Sequence, residues 1–386
     1  MYKSIFIYLL AFFITACSGG DAQQESQAMQ KEGIQDTVNT ADTYATETVT
    51  NQVSVPWGMT WLPNGDMLVT NRGGELYHFK GSEMVGTIGG VPEVWASGQG
   101  GLLDIALHPN YEENGWIYIT YSSPKGGEGA NTALMRARLN DDHTSLVDQE
   151  VLYKAEPNST RGQHFGSRIV FDNEGYVYFG IGDRGKRDLN PQDITRDNGK
   201  IYRLHDDGRI PEDNPFVGQE GLDAIFAYGI RNPQGMDLHP ETGELWEHEH
   251  GPRGGDEINI IKAGNNYGWP EICFCIDYDG SEITPDTAKA GMEQPEWYWD
   301  PSIAPSGMTF VTSDKYPEWQ GDLLVGSLKF GYVVRADVEN NEVVSDQILF
   351  KDIGRVRNIK QGPDGYIYVA TETDNGIVRI MPKSES

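Results

Sequence analysis

The sequence is poor in cysteine, in basic residues and in long apolar runs, and each shortage removes a class of protein. Only Cys17, Cys273 and Cys275 are present. The last two, in the run CFC, are too few for a disulfide scaffold or a complete zinc site. They could pair in an oxidising compartment, though one intervening residue makes a strained ring. Lysine and arginine number 30 against 58 aspartates and glutamates, a formal charge of −28 over 386 residues. The summed field of such a chain repels phosphate, which argues against nucleic acid or anionic lipid as a partner and makes any cluster of basic residues informative. The apolar run Ile5 to Ile14 (IFIYLLAFFI) has ten residues, too few to cross a hydrocarbon core of ~30 Å as a helix. A sustained 3.6-residue period is also missing, which leaves strands and loops almost throughout.

What is present at the N-terminus reads as an export signal: Lys3, the apolar run, then ITAC ending at Cys17. This resembles a bacterial lipobox, which implies cleavage before Cys17 and lipidation of its thiol; an ordinary signal peptide with a chance cysteine is the alternative. Residues 18–50 carry almost no large apolar side chains and are expected to be a disordered tether, since they cannot bury enough surface to offset chain entropy. The remaining domain, 51–386, shows six stretches of strand, turn and strand. They run over 57–71, 102–121, 166–183, 235–250, 307–327 and 357–372. Period-two alternation around Asn-Gly, Glu-Gly, Thr-Gly and Asp-Gly turns is the signature of hairpins. Their recurrence every 45 to 70 residues predicts an all-β, six-bladed β-propeller of four-stranded antiparallel sheets; a pair of sandwiches or a seventh, degenerate blade are the alternatives.

Several motifs carry chemistry. GIGDRG at 180–185 matches a dinucleotide fingerprint, but KRDLNPQDIT follows it with a proline and no amphipathic period, so the helix that would receive a pyrophosphate is missing. EHEHGPRGGDEIN at 247–259 holds two histidines, four acids and a Gly-Pro pair. His248 and His250 lie two apart, the wrong spacing for a zinc helix and with no third ligand in view, so core or hydrogen-bonding roles suit them better. Gly251 and Pro252 instead expose carbonyls, and Asp256 and Glu257 bring carboxylates, a set suited to Ca²⁺. In RGQHFGSR, His164 is a candidate general base, and Asp183, closing the hairpin that begins beside it, is placed to orient the ring. Arg231 and Asn232 in YGIRNPQG, Lys329 in SLKFG, and Arg355 and Arg357 in GRVRN all lie near hairpin ends, which a propeller gathers at one mouth. Four cations converging in so acidic a chain point to a small ligand with several carboxylates or phosphates.

In this order, GQGGLLDIALHP, GQHFGSRIVFD, YGIRNPQG, EHGPRGGDEIN with NNYGWP, PSIAPSG, GSLKFG and GRVRNIKQGPDG resemble the soluble PQQ-dependent sugar dehydrogenases, in particular the aldose sugar dehydrogenase branch, from about Pro56 to Met381. The resemblance implies a six-bladed propeller that oxidises the C1 hydroxyl of aldoses to aldonolactones with PQQ and Ca²⁺. It implies that His164 takes the hydroxyl proton with support from Asp183, and that Gln99 lies on the substrate side. Arg231 and Asn232 would face the quinone oxygens, Lys329, Arg355 and Arg357 would hold the PQQ carboxylates, and Ser302 would contact the cofactor. Gly251 and Pro252 would offer carbonyls to Ca²⁺, with Asp256 acting through water and Glu257 close by. His250 departs from the glutamine of the glucose-oxidising members. The expected partners are an aldose and an unidentified electron acceptor, with no nucleic acid and no membrane contact beyond the lipid anchor. A monomer or dimer in the bacterial envelope, on the periplasmic face or outer membrane, is expected. A calcium-dependent lactonase or a non-catalytic glycan- or protein-binding propeller is the rival reading, and neither needs the cationic clamp.

Overall fold

The computed structural model describes residues 36–373 and 376–385; the expected export signal and lipobox lie outside the described residues. Among the described residues, six sheets account for nearly all regular structure. The first blade runs Pro56–Trp61, Met67–Asn71, Leu76–Lys80 and Glu83–Ile88, and the second Leu102–Leu107, Ile117–Ser123, Asn131–Leu139 and Leu146–Lys154. The third comprises Ile169–Phe171, Val177–Ile181, Lys200–Leu204 and Ile225–Tyr228, and the fourth Pro233–Leu238, Leu245–Glu249, Asp256–Ile261 and Trp297–Trp299. Pro305–Phe310, Leu323–Ser327, Val333–Glu339 and Glu342–Leu349 form the fifth; Val356–Gln361, Ile367–Thr371 and Ile377–Pro382 begin the sixth. The first strands of all six blades touch their neighbours in a closed circle. The fold is thus the predicted six-bladed propeller, and each repeat read from the sequence is the first hairpin of one blade.

The outer strand of the sixth blade comes from the other end of the chain. Tyr44–Thr50 pairs antiparallel with Ile377–Pro382, Tyr44 opposite Pro382 and Thr50 opposite Ile377. Asp36–Thr37 adds a short parallel strand to the fifth blade. The tether expected to reach residue 50 is therefore corrected: 44–50 is a strand. An outer strand needs few apolar side chains, because one face is solvated; here Tyr44 alone is the large buried group, its ring tilted 35° against that of Trp319 with centroids 4.3 Å apart, and the ladder does the rest.

Blades pack face to face, so the middle strands are buried on both sides. Met67–Asn71, Val177–Ile181 and Leu323–Ser327 are buried throughout. Six apolar clusters fill the six gaps between neighbouring blades. Each Leu, Ile, Val or Phe fully withdrawn from water contributes roughly 1.5–3 kcal/mol. At two places neighbouring first strands approach too closely for any side chain. A Cβ on Gly58 would lie 2.9 Å from the Ile105 amide nitrogen, and one on Gly307 2.5 Å from the Asn358 Cα.

The axis is held by one cation. Arg168, buried just before the first strand of the third blade, donates from Nε to the Gln234 carbonyl at 2.7 Å and from Nη2 to the Arg357 carbonyl at 2.8 Å. Its Nη1 reaches the Trp57 carbonyl at 3.3 Å and Asp104 Oδ1 at 3.2 Å. The guanidinium lies 4.1 Å above the Trp57 ring. Burial lowers its pKa to about 10, against the pull of Asp104, so it stays charged at neutral pH. Removing one member of a buried charge pair leaves the other uncompensated, at about 3–5 kcal/mol. Arg168→Met should therefore lower the unfolding free energy by that amount, read as a lower urea midpoint at unchanged slope in tryptophan fluorescence.

Candidate active site

In each blade the first two strands form an antiparallel hairpin, so the segment entering the first and the segment leaving the second meet at one mouth of the ring. Gln99, His164, Arg231, Asn232, Ser302 and Arg355 enter first strands, Asp183, Gly251, Pro252 and Lys329 leave second strands, and Arg357 is the second residue of its strand. The topology thus collects them at one end.

His164 sits at φ 58° in the loop before the third blade. Arg184 supports that loop: its guanidinium lies 3.5 Å from the Phe165 ring centroid, bonds the Arg161 carbonyl at 2.7 Å and also bonds the Gln163 carbonyl. The Gln99 side-chain oxygen accepts the His164 amide at 2.7 Å. His164 Nδ1 lies 2.7 Å from Asp183 Oδ1. Asp183 also accepts the Gly185 amide at 2.6 Å and the Trp269 indole N–H at 2.9 Å. Burial raises the Asp183 pKa, but His164, Arg231 and the Trp269 bond outweigh it and the net shift is downward. Asp183 is therefore a carboxylate, and Nδ1 carries the proton it accepts. Burial and then Arg231 depress the His164 pKa, overcoming Asp183. The ring is a neutral imidazole with Nε2 as its acceptor, the form a general base requires.

Lys200, buried beneath, bonds the carbonyls of Asn190 (2.6 Å), Pro191 (3.1 Å) and Asn198 (2.8 Å). Asn190 in turn donates to the Asp183 carbonyl at 2.9 Å. The segment after GIGDRG is this knot of turns rather than a phosphate-binding helix.

Arg231 follows a backbone bond from the Asp183 amide to its carbonyl at 2.8 Å. Its Nη1 donates to the carbonyls of His250 (2.8 Å) and Gly251 (3.1 Å), and its guanidinium lies 5.2 Å from the Trp269 ring. Glu249 accepts the amides of Arg231 and, at 3.2 Å, Asn232. Burial raises the Glu249 pKa to about 8 despite those bonds. The Asn232 side-chain oxygen receives the Gly166 amide at 3.3 Å, tying it to the His164 loop.

Two adjoining cavities open here, of about 1030 Å³ and about 220 Å³. Gly251, Pro252, Ser302 and Lys329 line the larger, Gln99, Asn232 and Arg357 the smaller, and Arg355 and His250 both. Arg355 and Arg357 share Glu372: Arg355 Nε bonds one oxygen at 2.9 Å and Arg357 Nε the other at 2.7 Å. Burial raises the Glu372 pKa, but the two guanidiniums prevail and hold it below the usual range. Arg357 also reaches Gln234 Oε1 at 3.1 Å, and Lys329 Nζ the Ser302 carbonyl at 2.9 Å. With Arg72 and Arg253, which also line these cavities, five cations stand against Asp300 and Glu372 and leave the wall electropositive.

The four expected calcium residues divide. A Cβ on Gly251 would meet the Gly254 carbonyl at 2.0 Å, so only glycine fits this cradle, and the Pro252 carbonyl accepts no hydrogen bond among the described residues. Asp256 departs from the expected water-mediated role. Its Oδ1 accepts the Gly251 amide (2.8 Å) and Ser302 hydroxyl (2.9 Å), and its Oδ2 accepts the amides of Ile303 (2.6 Å) and Ala304 (2.8 Å). Four donors fill a carboxylate's acceptor sites, so Asp256 positions the carbonyl loop and Ser302 and has no lone pair left for a bridging water. Glu257 stands apart from the Gly251–Pro252 carbonyls. As the next strand residue it projects from the opposite face and stands across from Glu249. With buried Glu247, whose two oxygens have no hydrogen-bond partner among the described residues, and Asn259, it forms a second oxygen cluster. Burial and neighbouring Glu249 raise the pKa values of Glu247 and Glu257.

Neither histidine of EHEH serves a metal pair. His248 is wholly buried, its pKa lowered by burial to about 3, and it fills the space over Gly235. His250 Nε2 lies 2.6 Å from the Pro305 carbonyl. Cys273 and Cys275 are joined in a disulfide. The residues that sequence reasoning missed are Trp269, Glu249, Glu372 and Tyr278, whose hydroxyl lies 3.4 Å from Arg231 Nη2. Trp269 lies in NNYGWP and Glu249 in EHEHGPRGGDEIN, but nothing in either pattern connects the indole to Asp183 or the carboxylate to the Arg231 and Asn232 amides.

The His164–Asp183 pair thus stands at the electropositive mouth of a six-bladed propeller. A sequence model of glucose/sorbosone dehydrogenases matches residues 53–380, and the chain belongs to that family. It is 43% identical over 345 residues to the aldose sugar dehydrogenase YliI of Escherichia coli K12, covering 88% of this chain and 93% of that protein. The apo-form crystal structure of the soluble aldose sugar dehydrogenase from Escherichia coli superposes with a TM-score of 0.83 at 40% identity, over 88% of this chain and all of that one. The PQQ-bound aldose sugar dehydrogenase of Streptomyces coelicolor gives 0.72 at 25% identity, over 88% and 98%.

Because Asp183 raises the His164 pKa while burial and Arg231 lower it, Asp183→Asn should move the imidazole titration to still lower pH. Histidine NMR shifts recorded against pH would check this; an upward move would contradict the charge assignment.

Proposed function

We propose that the chain oxidises the C1 hydroxyl of aldoses to aldonolactones with PQQ and Ca²⁺ as its cofactors. The observation that carries the reading is the neutral His164, oriented by Asp183, at the cation-walled mouth. Lys329, Arg355 and Arg357 suit the carboxylates of PQQ, and a PQQ-bound relative of the same fold supports the choice. The Gly251 and Pro252 carbonyls suit Ca²⁺, and the unpartnered oxygens of Glu247 with Glu249 and Glu257 fit a further cation. When bound, PQQ supplies the hydride acceptor and Ca²⁺ the Lewis acid that polarises it.

The chain's own part is to hold and move one proton. His164 Nε2 accepts the hydroxyl proton of the sugar, and Asp183 stabilises the resulting imidazolium through Nδ1. Arg231, fixed by the His250 and Gly251 carbonyls, places positive charge where negative charge develops. Gln99 keeps the His164 backbone in its left-handed turn at the substrate side. A lactonase or binding propeller has no use for three cations in this wall.

The same proposal includes export and lipid attachment at Cys17, which the disulfide supports because such bonds persist in oxidising compartments, and an electron acceptor outside this chain. With its charge of −28, the protein takes neither nucleic acid nor anionic lipid as a partner, and acts as a monomer or dimer.

Dye-linked oxidation of an aldose panel, with and without PQQ and Ca²⁺, tests the reading. Activity should require both, and His164→Ala should lower kcat by about 10²–10⁴-fold while the protein still binds PQQ by absorbance titration. Full turnover by the variant would remove His164 from its role; failure of the parent to bind PQQ would remove the clamp. The acid limb of kcat/KM should fall below the ordinary histidine range of about 6.5, since His164 is held lower. A profile breaking above that value would contradict the assignment.

A further inference from the structure

At the opposite mouth of the ring, a second group of side chains joins the first blade to the second. Asp66 and His78 are buried, in the turn before one strand and within the next, and His78 Nε2 lies 2.7 Å from Asp66 Oδ2. His143 comes from the hairpin between the third and fourth strands of the second blade, with its ring centroid 5.9 Å from that of His78. One ligand atom from each of the three lies within 4.8 Å of the other two.

The hairpin is built to present that imidazole. His143 occupies φ 54°, a conformation in which histidine is over-represented among side chains other than glycine. Its amide bonds the Asn140 carbonyl at 2.9 Å, and the Asn140 side chain accepts the amides of Thr144 (2.8 Å) and Ser145 (3.0 Å). Gly89, after the last strand of the first blade, donates to the Thr144 carbonyl at 2.8 Å and accepts the Leu146 amide at 2.9 Å. The turn is thus pinned to the neighbouring blade, yet neither ring nitrogen of His143 has a hydrogen-bond partner among the described residues.

We propose that Asp66, His78 and His143 form a site for one transition-metal dication of the zinc class, which staples the first blade to the second. Two imidazoles and one carboxylate suit zinc, nickel or copper, whereas Ca²⁺ takes oxygen ligands. Ligand atoms held at ~2.0–2.2 Å from a zinc ion must lie closer together than the widest spacing here. The His143 turn, the one partner not fully buried, supplies the closing movement. The ion replaces the proton between His78 and Asp66, so binding releases it. Three protein ligands leave a fourth position to water on the His143 side. The site lies at the far mouth from His164 and takes no part in the reaction proposed there.

The test uses full-length protein stripped by chelator, reloaded with excess Ca²⁺ and titrated calorimetrically with Zn²⁺. One equivalent should bind, raise the melting temperature, and resist competition by Ca²⁺. His143→Asn tolerates the left-handed turn and should weaken Zn²⁺ binding by about tenfold or more, with an unchanged melting temperature in the absence of Zn²⁺. His78→Gln should do the same, and circular dichroism checks its fold; if it misfolds, His143→Asn alone decides. Absence of saturable binding, or a His143→Asn variant that binds as tightly as the parent, overturns the site.

Discussion

The ring depends on a charge at its axis. Where the six sheets converge, carbonyls at the inner strands of different blades need donors. A single guanidinium satisfies several of these at once. Arg168 reaches backbone or carboxylate groups of the first, second, fourth and sixth blades, which no smaller or neutral side chain could span. Its acceptors include the backbone of Gln234 and Arg357, whose side chains meet at the active mouth. The geometry of the cationic wall is therefore inherited from the axis rather than set by its own loop.

The same economy governs the carboxylates. Asp256, Glu249 and Glu372 each gather donors from segments distant in sequence: Asp256 joins the Gly251 loop to 302–304, Glu249 holds the Arg231 and Asn232 amides, and Glu372 spaces two arginines. A buried carboxylate is expensive unless hydrogen-bonded, and once bonded on several sides it resists displacement. These acids act as fixed posts around a site whose exposed face is positive, while the large negative charge of the chain lies elsewhere on its surface.

The blade count and the gathering of cations were legible because both follow from hairpins, a local and repetitive signal. The His164–Asp183 pair was legible for the same reason: one hairpin carries both ends. Trp269 was hidden, 86 residues from its aspartate partner, with only the closed ring to unite them. Asp256 and Glu257 were grouped at one site although strand periodicity alone sends neighbours to opposite faces. Tyr44–Thr50 was taken for tether because an outer strand shows so little apolar surface, and the pairing that makes it a strand lies at the far end of the chain.

That pairing has a consequence for the order of folding. Glu47 and Arg379, joined across the final ladder, are 332 residues apart, so the sixth blade stays one strand short until almost the whole chain is available. Local hairpins form early, whereas contacts of such separation come late and slow the overall rate. The entropy of closing so large a loop is modest, since each doubling of length adds only ~0.6 kcal/mol. The late step is therefore a matter of timing more than of equilibrium. Until it occurs, Ile377–Pro382 is an unpaired edge open to the wrong strand. A chain emerging from its N-terminus would carry its own latch from the start and wait for the last blade to receive it.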